Sequence, residues 1–272
     1  MIVLKRDIEE VLHKVSQEGG ALEVDFGKKR VNVRRVKNTL IVKGGYIINL
    51  ETKLKDNVCY LLKKEGLIPV AFFDGETGRF YKLMPTADWP TVTIGSVPMH
   101  RITRCSPRRD TEGKIRLIRP YGRVLDTCMG LGYTAIMAAY NSKEVYTFEK
   151  DKNIYFIARI NPLSRELFRL SNIKIKREAV EKGIEKFFSS YFDCIIHDPP
   201  TFKISPLLYS TNFYHKLYRV LKKGGRLFHY TPFYGIKRGK DFPARIRAYL
   251  KEVGFNVLRV DYNVGGILCQ KI

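Results

Sequence analysis

The sequence predicts an α/β protein in two parts, a small α+β domain followed by a larger domain built on a mostly parallel sheet. From residue 120 onward, strand-like and helix-like segments alternate, which is typical of a doubly wound parallel sheet. The last two strand-like runs, 255–264 and 267–272, are separated by only a few residues and must therefore pair antiparallel. Before residue 86, short runs of alternating apolar residues separated by turn residues predict antiparallel strands.

The first part begins with one amphipathic helix. Apolar side chains recur at helical spacing across residues 7–18, and the pair Gly19-Gly20 ends the pattern. Four strand-like runs follow, then a second helix near 53–64, and then two strands joined by the turn 74–78. Residues 1–85 therefore predict a small α+β domain, which we expect to hold the substrate. Residues 86–119 are rich in proline and arginine and predict an extended connector.

The second domain, 120–272, is predicted as a continuous series of elements. Apolar runs predict strands at 123–128, 145–151, 173–178, 192–198 and 226–233. The spacing between them predicts helices at 133–141, 152–169, 180–190, 206–223 and 242–252. Because α/β sheets bind ligands at the carboxyl ends of their strands, the residues that follow each strand are the candidates for a site.

The charge of the chain indicates a polyanionic partner. Lys and Arg number 49 against 27 Asp and Glu, a formal net charge of +22. Residues 1–120 carry 23 basic and 14 acidic side chains and residues 121–272 carry 26 and 13, so the excess is spread over the molecule. A lysine-rich thermophilic surface would pair its lysines with glutamates, and acids are too few here. Nucleic acid is therefore the expected partner.

Composition also excludes several classes of protein. With 44% hydrophobic and 28% charged residues, the chain is ordinary for a globular protein and is not disordered. No apolar run is long enough to cross a membrane and the N-terminus lacks a signal-peptide pattern, so we expect a cytoplasmic protein. Five scattered cysteines without ligand spacing predict reduced thiols and no metal site.

Four motifs follow consecutive predicted strands. The run from Asp126 to Gly132 contains two glycines that let the backbone turn sharply close to a ligand. Glu149 ends the second strand, where an acidic residue suits the two hydroxyls of a ribose. The pair Glu178-Ala179 follows the third strand and is placed to meet an adenine edge, and 197–202 read His-Asp-Pro-Pro-Thr-Phe. Each motif alone fits a solvated strand end, but four in succession predict a ligand site.

The order of these motifs resembles that of the Rossmann-like, class I S-adenosylmethionine (SAM)-dependent methyltransferases. The antiparallel terminal strand pair matches that fold and not the NAD dehydrogenases, and the resemblance covers about 120–272. The motifs and the tail after Arg238 resemble most a group of predicted archaeal methyltransferases. The resemblance implies that SAM is held by Asp126, Cys128, Gly130, Gly132, Glu149, Lys150, Glu178, Ala179 and Asp198.

The resemblance also implies that Asp198, Pro199, Pro200 and Phe202 form the catalytic loop. The family commonly has Gly at the position of Cys128, and its amine-methylating branch has an aromatic residue where this chain has Thr201. The variant Asp-Pro-Pro-Thr-Phe resembles a branch of ribosomal-RNA guanine-N2 methyltransferases. We therefore expect methylation of an exocyclic base nitrogen in tRNA or rRNA.

Physical reasoning about the loop leads to similar chemistry. Successive prolines fix φ and remove amide hydrogens, which holds Asp198 in an extended conformation. A carboxylate and a neighbouring carbonyl can then accept both hydrogens of one NH₂ group. Phe202 offers a face for base stacking, worth roughly 1–3 kcal/mol. The same residues are also compatible with a rigid loop around a buried phenylalanine.

Other reactive side chains are expected to be structural or are uncommitted. His197 lies in a strand just before the loop and is expected to pack and to hydrogen-bond, while His100 and His229 fit either role. Methylation at carbon 5 of a pyrimidine needs a nucleophilic cysteine. Because Cys194 lies inside the fourth predicted strand, that chemistry is not expected.

Basic residues form three clusters that could hold a polyanion, although each is also compatible with a solvated face. They are a hairpin cluster of Lys28, Lys29, Arg30, Arg34 and Arg35, a connector cluster of Arg101, Arg104, Arg108 and Arg109, and a third cluster of Lys237, Arg238 and Lys240.

Three alternative functions stay open. An aminopropyltransferase of the spermidine-synthase kind shares the fold but would need more acidic residues around its polyamine. A protein or small-molecule methyltransferase is compatible with the loop, because such loops also methylate glutamine side-chain amides. A non-catalytic RNA-binding protein is disfavoured because every cofactor position is chemically intact.

Overall fold

The computed structural model describes residues 1–14, 19–231 and 241–272. The chain forms two compact units, one of Met1–Arg108 with Phe156–Arg165 and the other of Arg109–Tyr155 with Glu166–Ile272. The α-helices of the described residues are α1 (Lys5–Lys14), α2 (Pro107–Ile118), α3 (Tyr133–Ala139), α4 (Lys152–Ile160), α5 (Val180–Gly183), α6 (Thr211–Val220) and α7 (Phe242–Glu252).

The strands of the first unit form three antiparallel sheets. They are β1 (Ile2–Val3), β2 (Gly20–Val24), β3 (Lys29–Val36), β4 (Thr39–Val42), β5 (Tyr46–Asn49), β6 (Tyr60–Lys63), β7 (Gly66–Pro69), β8 (Ala71–Asp74), β9 (Arg79–Met84), β10 (Thr91–Ile94) and β11 (Val97–Pro98). β6 lies between β1 and β7, while β2 to β5 and β8 to β11 form two meanders. Val31 and Val33 are buried while Asn32 and Arg34 are exposed, the alternation of a strand with one solvated face. The antiparallel strands predicted before residue 86 are confirmed.

The helix predicted near 53–64 is wrong. Within this stretch the regular element is β6, in which Tyr60 and Leu62 are buried and Leu61 between them is partly exposed. β1 and β7 hydrogen-bond to the two edges of β6. Partner strands on both sides therefore override the helix-like spacing, because strand formation depends on its tertiary context.

The prediction of an extended connector at 86–119 also differs from the structure. β10 and β11 form a hairpin within it, and α2 occupies Pro107–Ile118. Proline is tolerated at the first position of a helix, where the backbone N–H has no intrahelical partner. The proline and arginine content that suggested an extended chain thus belongs partly to a strand pair and a helix.

The second unit is built on one seven-stranded sheet. Its strands are β12 (Arg123–Asp126), β13 (Glu144–Phe148), β14 (Ile173–Lys176), β15 (Phe192–His197), β16 (Leu221–Tyr230), β17 (Phe255–Asp261) and β18 (Gly266–Lys271). Their order is β14-β13-β12-β15-β16-β18-β17. The pairs from β14 to β16 are parallel, and β18 is antiparallel to both β16 and β17. The predicted Rossmann-like class I methyltransferase sheet with an antiparallel terminal strand is confirmed.

The central strands of this sheet are buried, and their packing fixes the edge at which their carboxyl ends lie. Leu125, Ile195 and Leu227 are fully buried in a core to which α6 and α7 also contribute. β12, β13, β14 and β15 run in the same direction, so their carboxyl ends meet at one edge. The loops that follow these strands are therefore brought together by the packing of the sheet.

Among the described residues, none of the helices combines the length and the apolar character needed to cross a membrane.

Candidate active site

A pocket lies at the carboxyl ends of the parallel strands in the second unit. The space between its lining atoms is about 360 Å³, and this volume includes open solvent. Six residues predicted for the cofactor or the loop line it: Cys128, Glu149, Lys150, Glu178, Ala179 and Pro200. Sequence reasoning did not identify the other lining residues, which are Thr127, Phe148, Val180, Glu181, Ser205 and Leu208. Several of these are ordinary residues of the loops and strand ends, so their type gave no signal.

The two glycines of the loop after β12 have different surroundings. Both have positive φ, 53° at Gly130 and 81° at Gly132, a conformation that favours glycine. A Cβ added at Gly130 would meet nothing within 4 Å, whereas one at Gly132 would lie 2.5 Å from Cδ2 of Leu167. A Cβ at Gly130 would therefore lie in open space, while Gly132 permits close packing of the turn against the protein.

Asp126 lies behind the loop and does not line the pocket. Its side chain is fully buried and accepts hydrogen bonds from the hydroxyls of Thr134 at 3.1 Å and Thr147 at 2.5 Å. Burial raises the pKa of Asp126 to about 7, and the two hydroxyls oppose the shift. The contacts of Asp126 thus connect the end of β12 to α3 and β13.

Glu149 holds the glycine loop through its carboxylate. Oε2 accepts a hydrogen bond from the backbone N–H of Gly130 at 3.2 Å, and Oε1 accepts one from Asp151 at 2.8 Å. Burial raises the pKa of Glu149 to about 7, and these backbone donors oppose the shift. A carboxylate offers about four acceptor positions, so it can accept further donors from a ligand. The neighbouring Lys150 is exposed.

Glu178 and Ala179 lie at the entry to the short helix α5. Nζ of Lys186 donates to both carboxylate oxygens of Glu178, at 2.8 and 2.6 Å. The carbonyl of Ala179 accepts the backbone N–H groups of Lys182 and Gly183, which begin the helix. The acid predicted to face adenine therefore also forms an ion pair at the edge of the pocket.

The loop predicted to be catalytic is held by Tyr209. The Tyr209 hydroxyl donates to the carbonyl of Pro200 at 2.9 Å and lies 3.4 Å from that of Pro199. The ring of Phe202 meets those of Tyr209 and Phe242 edge-on, with centroids 5.8 and 6.0 Å apart. Because Phe202 is still 39% exposed, part of its ring is accessible to a ligand.

Asp198 forms a buried ion pair that sequence reasoning missed. Oδ2 of Asp198 accepts a hydrogen bond from Nζ of Lys114 at 2.7 Å, and the same Nζ lies 2.6 Å from Asp110. Burial raises the pKa of Asp198, and the charge of Lys114 opposes the shift. Burial alone would lower the pKa of Lys114, but the two carboxylates hold it above its ordinary value. The spacing of Asp110 and Lys114, one turn apart after Pro107, was the available signal for this helix.

The histidines near the loop are satisfied by protein groups. Nε2 of His197 donates to the carbonyl of Leu208 at 2.9 Å, and Nδ1 accepts from the Thr127 hydroxyl at 2.8 Å. Burial lowers the pKa of His197 far below its ordinary value, and burial lowers that of His229 to about 4. The expectation that His197 packs and hydrogen-bonds is confirmed. Cys194 lies inside β15, where burial raises the pKa of its thiol to about 11.

The basic clusters lie on several elements. Arg101 is partly exposed, while Arg104, Arg108 and Arg109 are exposed. In the hairpin cluster all five basic side chains are exposed, and Arg30 donates to Glu23 at 2.7 and 2.9 Å. Lys237, Arg238 and Lys240 lie outside the described residues. Within the described part of the chain, no group of three or more His, Cys, Asp or Glu side chains is arranged to hold a metal ion.

The sequence of the chain is similar to that of a known protein. No sequence model of a known protein family matches the chain. An uncharacterized protein of Methanocaldococcus jannaschii is 46% identical over 190 residues, which cover 68% of this chain and 65% of that protein. The chain thus spans less than two thirds of the length of this relative.

Two solved structures are similar in fold. Spermidine synthase from Thermotoga maritima superposes with a TM-score of 0.58 at 16% identity, over 80% of this chain and 74% of that one. MnmC2 from Aquifex aeolicus superposes with a TM-score of 0.54 at 17% identity, over 70% of this chain and 69% of that one. At these identities the likeness concerns the fold alone. Together with the strand order of the second unit, it shows a Rossmann-like sheet of the methyltransferase type.

Proposed function

We propose that this protein is a SAM-dependent methyltransferase that methylates an exocyclic nitrogen of a base in tRNA or rRNA. One observation carries the proposal: six of the residues predicted for the cofactor or the loop share a single pocket. One of the six, Pro200, belongs to the same loop as Asp198 and Phe202. The cavity and the loop that would act on a substrate are therefore neighbours in the fold.

The lining of the pocket fits SAM in its chemistry. Glu149 supplies a carboxylate for the ribose hydroxyls, and Val180 and Leu208 supply apolar flanks for a purine. The open space at Gly130 leaves room for the ligand beside the backbone. We assign Lys150, Glu178 and Ala179 to the edge of the same site. When bound, SAM supplies an electrophilic methyl group.

The loop acts on the acceptor nitrogen. The carboxylate of Asp198 and the carbonyl of Pro199 accept the two hydrogens of one NH₂ group, which directs the nitrogen lone pair away from the loop. Asp198 then receives the proton that the methylated nitrogen loses. Tyr209 holds the prolyl carbonyls, and Phe202 stacks on the base. Positioning of this kind supplies much of the rate in reactions between held groups.

The charge of the chain supports RNA as the substrate. A net charge of +22 spread over both halves suits a polyanion whose phosphates supply affinity without sequence information. We propose that the first domain, through the hairpin cluster, and the connector cluster hold the RNA. Asp198 and Phe202 act once a base has been turned into the pocket.

The proposal is tested by transfer of a radiolabelled methyl group from SAM. The purified protein is incubated with total RNA and with total protein from an archaeon, and labelled RNA is digested and analysed by nucleoside mass spectrometry. The expected result is label in RNA, on a base nitrogen. Label in protein alone would indicate that the substrate is an amide or amine side chain of a protein. No label in either, together with no calorimetric binding of SAM or S-adenosylhomocysteine, would remove the methyltransferase proposal.

The fold likeness to spermidine synthase favours one second candidate, an aminopropyltransferase. Such an enzyme would use decarboxylated SAM and a polyamine acceptor. The two functions are distinguished by incubating the protein with decarboxylated SAM and either putrescine or spermidine. A polyamine product, in the absence of methyl transfer to RNA, would decide for the second candidate.

A further inference from the structure

A buried lysine joins the catalytic loop to helix α2. Nζ of Lys114 lies 2.7 Å from Oδ2 of Asp198 and 2.6 Å from Oδ2 of Asp110. The side chain of Lys114 is 4% exposed, that of Asp110 is 0% exposed and that of Asp198 is 19% exposed. All three residues belong to the second unit. The proposed reaction assigns a role to Asp198 and none to the other two.

This cluster distinguishes the two oxygens of Asp198. Oδ2 is engaged by Lys114, while Oδ1 accepts no hydrogen bond from the residues that the structure describes. An ionised carboxylate accepts hydrogen bonds at both oxygens. The partly exposed Oδ1 is therefore the oxygen available to an N–H group of a substrate.

The charge of Lys114 also bears on the kind of nitrogen that can bind there. An ammonium ion beside Asp198 would lie close to the ammonium of Lys114, and like charges in a buried site repel each other. Lys114 moreover offsets part of the charge of Asp198, which weakens the attraction that a cationic acceptor would need, although Lys114 is shared with Asp110. A neutral NH₂ group keeps its hydrogen bond to Oδ1 without this repulsion.

We propose that Lys114 is a positioning residue that keeps Asp198 ionised with Oδ1 free, and that it thereby selects a neutral N–H donor over an ammonium as the acceptor. The inference rests on the proposed function for the reaction, but the ion pair itself can be tested without any reaction. The titratable groups that face Asp198 are Lys114 and Asp110 on α2, Asp126 at the end of β12, Cys128 in the following loop and Tyr209 below.

The first experiment follows the Asp198 carboxyl in the protein without ligand. Aspartate is labelled with ¹³C at the carboxyl carbon, the Asp198 signal is identified by its loss in Asp198→Asn, and its titration midpoint is measured. Lys114→Met removes the opposing cation and should raise the midpoint by about one pH unit or more. Asp110→Asn removes a like charge and should lower it. Lys222→Met is the matched control, because it breaks another lysine–aspartate pair of the same unit, with Asp193 at 2.6 Å, and should not change the midpoint.

Opposite shifts of the midpoint in Lys114→Met and Asp110→Asn support the positioning role, because a general loss of structure would shift the midpoint in the same direction in both variants. Shifts in the same direction, or an unchanged midpoint in both, overturn it. If Lys114→Met does not fold, as judged by circular dichroism, Lys114→Gln, which keeps a polar side chain, takes its place in the same comparison: a raised midpoint supports the role and an unchanged one overturns it.

The second experiment uses the reaction and the acceptor. If the parent methylates RNA, Lys114→Met should lower its single-turnover rate more at pH 6 than at pH 9, with S-adenosylhomocysteine affinity unchanged. An equal loss at both pH values overturns the role while the proposed function stands. Spermidine titrated into the protein saturated with S-adenosylhomocysteine should not bind. Spermidine binding that Asp198→Asn abolishes would overturn the selection of a neutral acceptor. If the parent transfers no methyl group, the proposed function fails, and the ¹³C titration still decides whether Lys114 positions Asp198.

Discussion

The backbone N–H of Gly130 donates a 3.2 Å hydrogen bond to Oε2 of Glu149 and so ties the loop after β12 to the end of β13. The two residues are 19 positions apart in the chain and meet because β12 and β13 are parallel neighbours. The same carboxylate lines the pocket. The binding of a ligand that hydrogen-bonds to Glu149 would therefore depend on the conformation of the glycine loop as well.

Ligand affinity should depend on the ionisation of Glu149. Glu149→Gln is expected to weaken S-adenosylhomocysteine binding by about 10- to 100-fold, because hydrogen bonds to a charged group contribute about 1.5–3 kcal/mol. Isothermal titration calorimetry measures this loss. Glu144→Gln, at the other end of β13, is the matched control and should bind like the parent.

The same residue predicts a pH dependence. Burial raises the pKa of Glu149 to about 7, so the carboxyl is mostly protonated at pH 6 and mostly ionised at pH 8. Affinity for S-adenosylhomocysteine should rise about tenfold between these pH values in the parent and stay flat in Glu149→Gln. The free energy of unfolding of the ligand-free protein should change in the opposite direction. Because the raised pKa means that the native state binds more protons than the unfolded state, the contribution of Glu149 to stability falls as pH rises from the unfolded pKa towards 7. An affinity that falls with rising pH would contradict the assignment.

The two loop glycines should respond differently to alanine. Both have positive φ, so the backbone strain is similar, but only at Gly132 does the new Cβ collide with Leu167. Gly132→Ala should therefore destabilise the protein by about 1–3 kcal/mol more than Gly130→Ala. Urea unfolding measures both, and a double-mutant cycle with Leu167→Ala should show favourable coupling. For the same loss in the free energy of unfolding, Gly130→Ala should weaken S-adenosylhomocysteine binding more than Gly132→Ala does.

Asp198 should be needed for turnover and not for binding. Asp198→Ala is expected to lower the single-turnover methylation rate by about 10²–10⁴-fold, the range for a positioned proton acceptor. RNA and SAM affinities should stay close to those of the parent, because Asp198, which the resemblance assigns to the cofactor site, does not line the pocket. Because Lys114 loses a buried partner in this variant, a melting curve is the necessary control. Parental turnover in a folded Asp198→Ala would show that the amine-methylation mechanism is wrong.

Phe202 should contribute to base binding through its exposed face. Phe202→Leu is expected to raise the RNA concentration needed for half-maximal rate, because base–aromatic stacking is worth about 1–3 kcal/mol. Phe202→Tyr keeps the ring and should restore the parental value. Phe188→Leu is the control, since Phe188 is 82% exposed in the same unit and does not line the pocket. An equal effect in both leucine variants would argue against stacking at Phe202.

The connector cluster should supply affinity that depends on salt. Arg104→Ala combined with Arg108→Ala is expected to weaken RNA binding and to flatten its dependence on salt, by a slope of about 0.7–0.9 for each lost phosphate contact. Filter binding at two salt concentrations measures this, with S-adenosylhomocysteine affinity unchanged. RNA binding equal to that of the parent at both salts would show that these arginines are not part of the RNA surface.

Local patterns in the chain were sufficient to predict the sheet and half of the residues that line the pocket. Strand-ending acids such as Glu149 and the turn around Gly130 can be recognised in the sequence as candidates for a site. The reason is that parallel strands bring their carboxyl ends to one edge of the sheet in a known order. Their positions along the chain therefore translate directly into positions in space. The antiparallel terminal pair follows from the short link between its two strands for the same reason.

Only the tertiary structure decided which of these residues face the cavity and what accompanies Asp198. Asp126 and Gly132 belong to the motif, yet Thr147 and Leu167, distant in sequence, direct them into the protein. Residues near 60 form a strand because β1 and β7 supply partners that no local pattern contains. The contact between Lys114 and Asp198 joins residues 84 positions apart. Such long-range contacts depend on the packing of whole elements, and a linear pattern records only the spacing within each element.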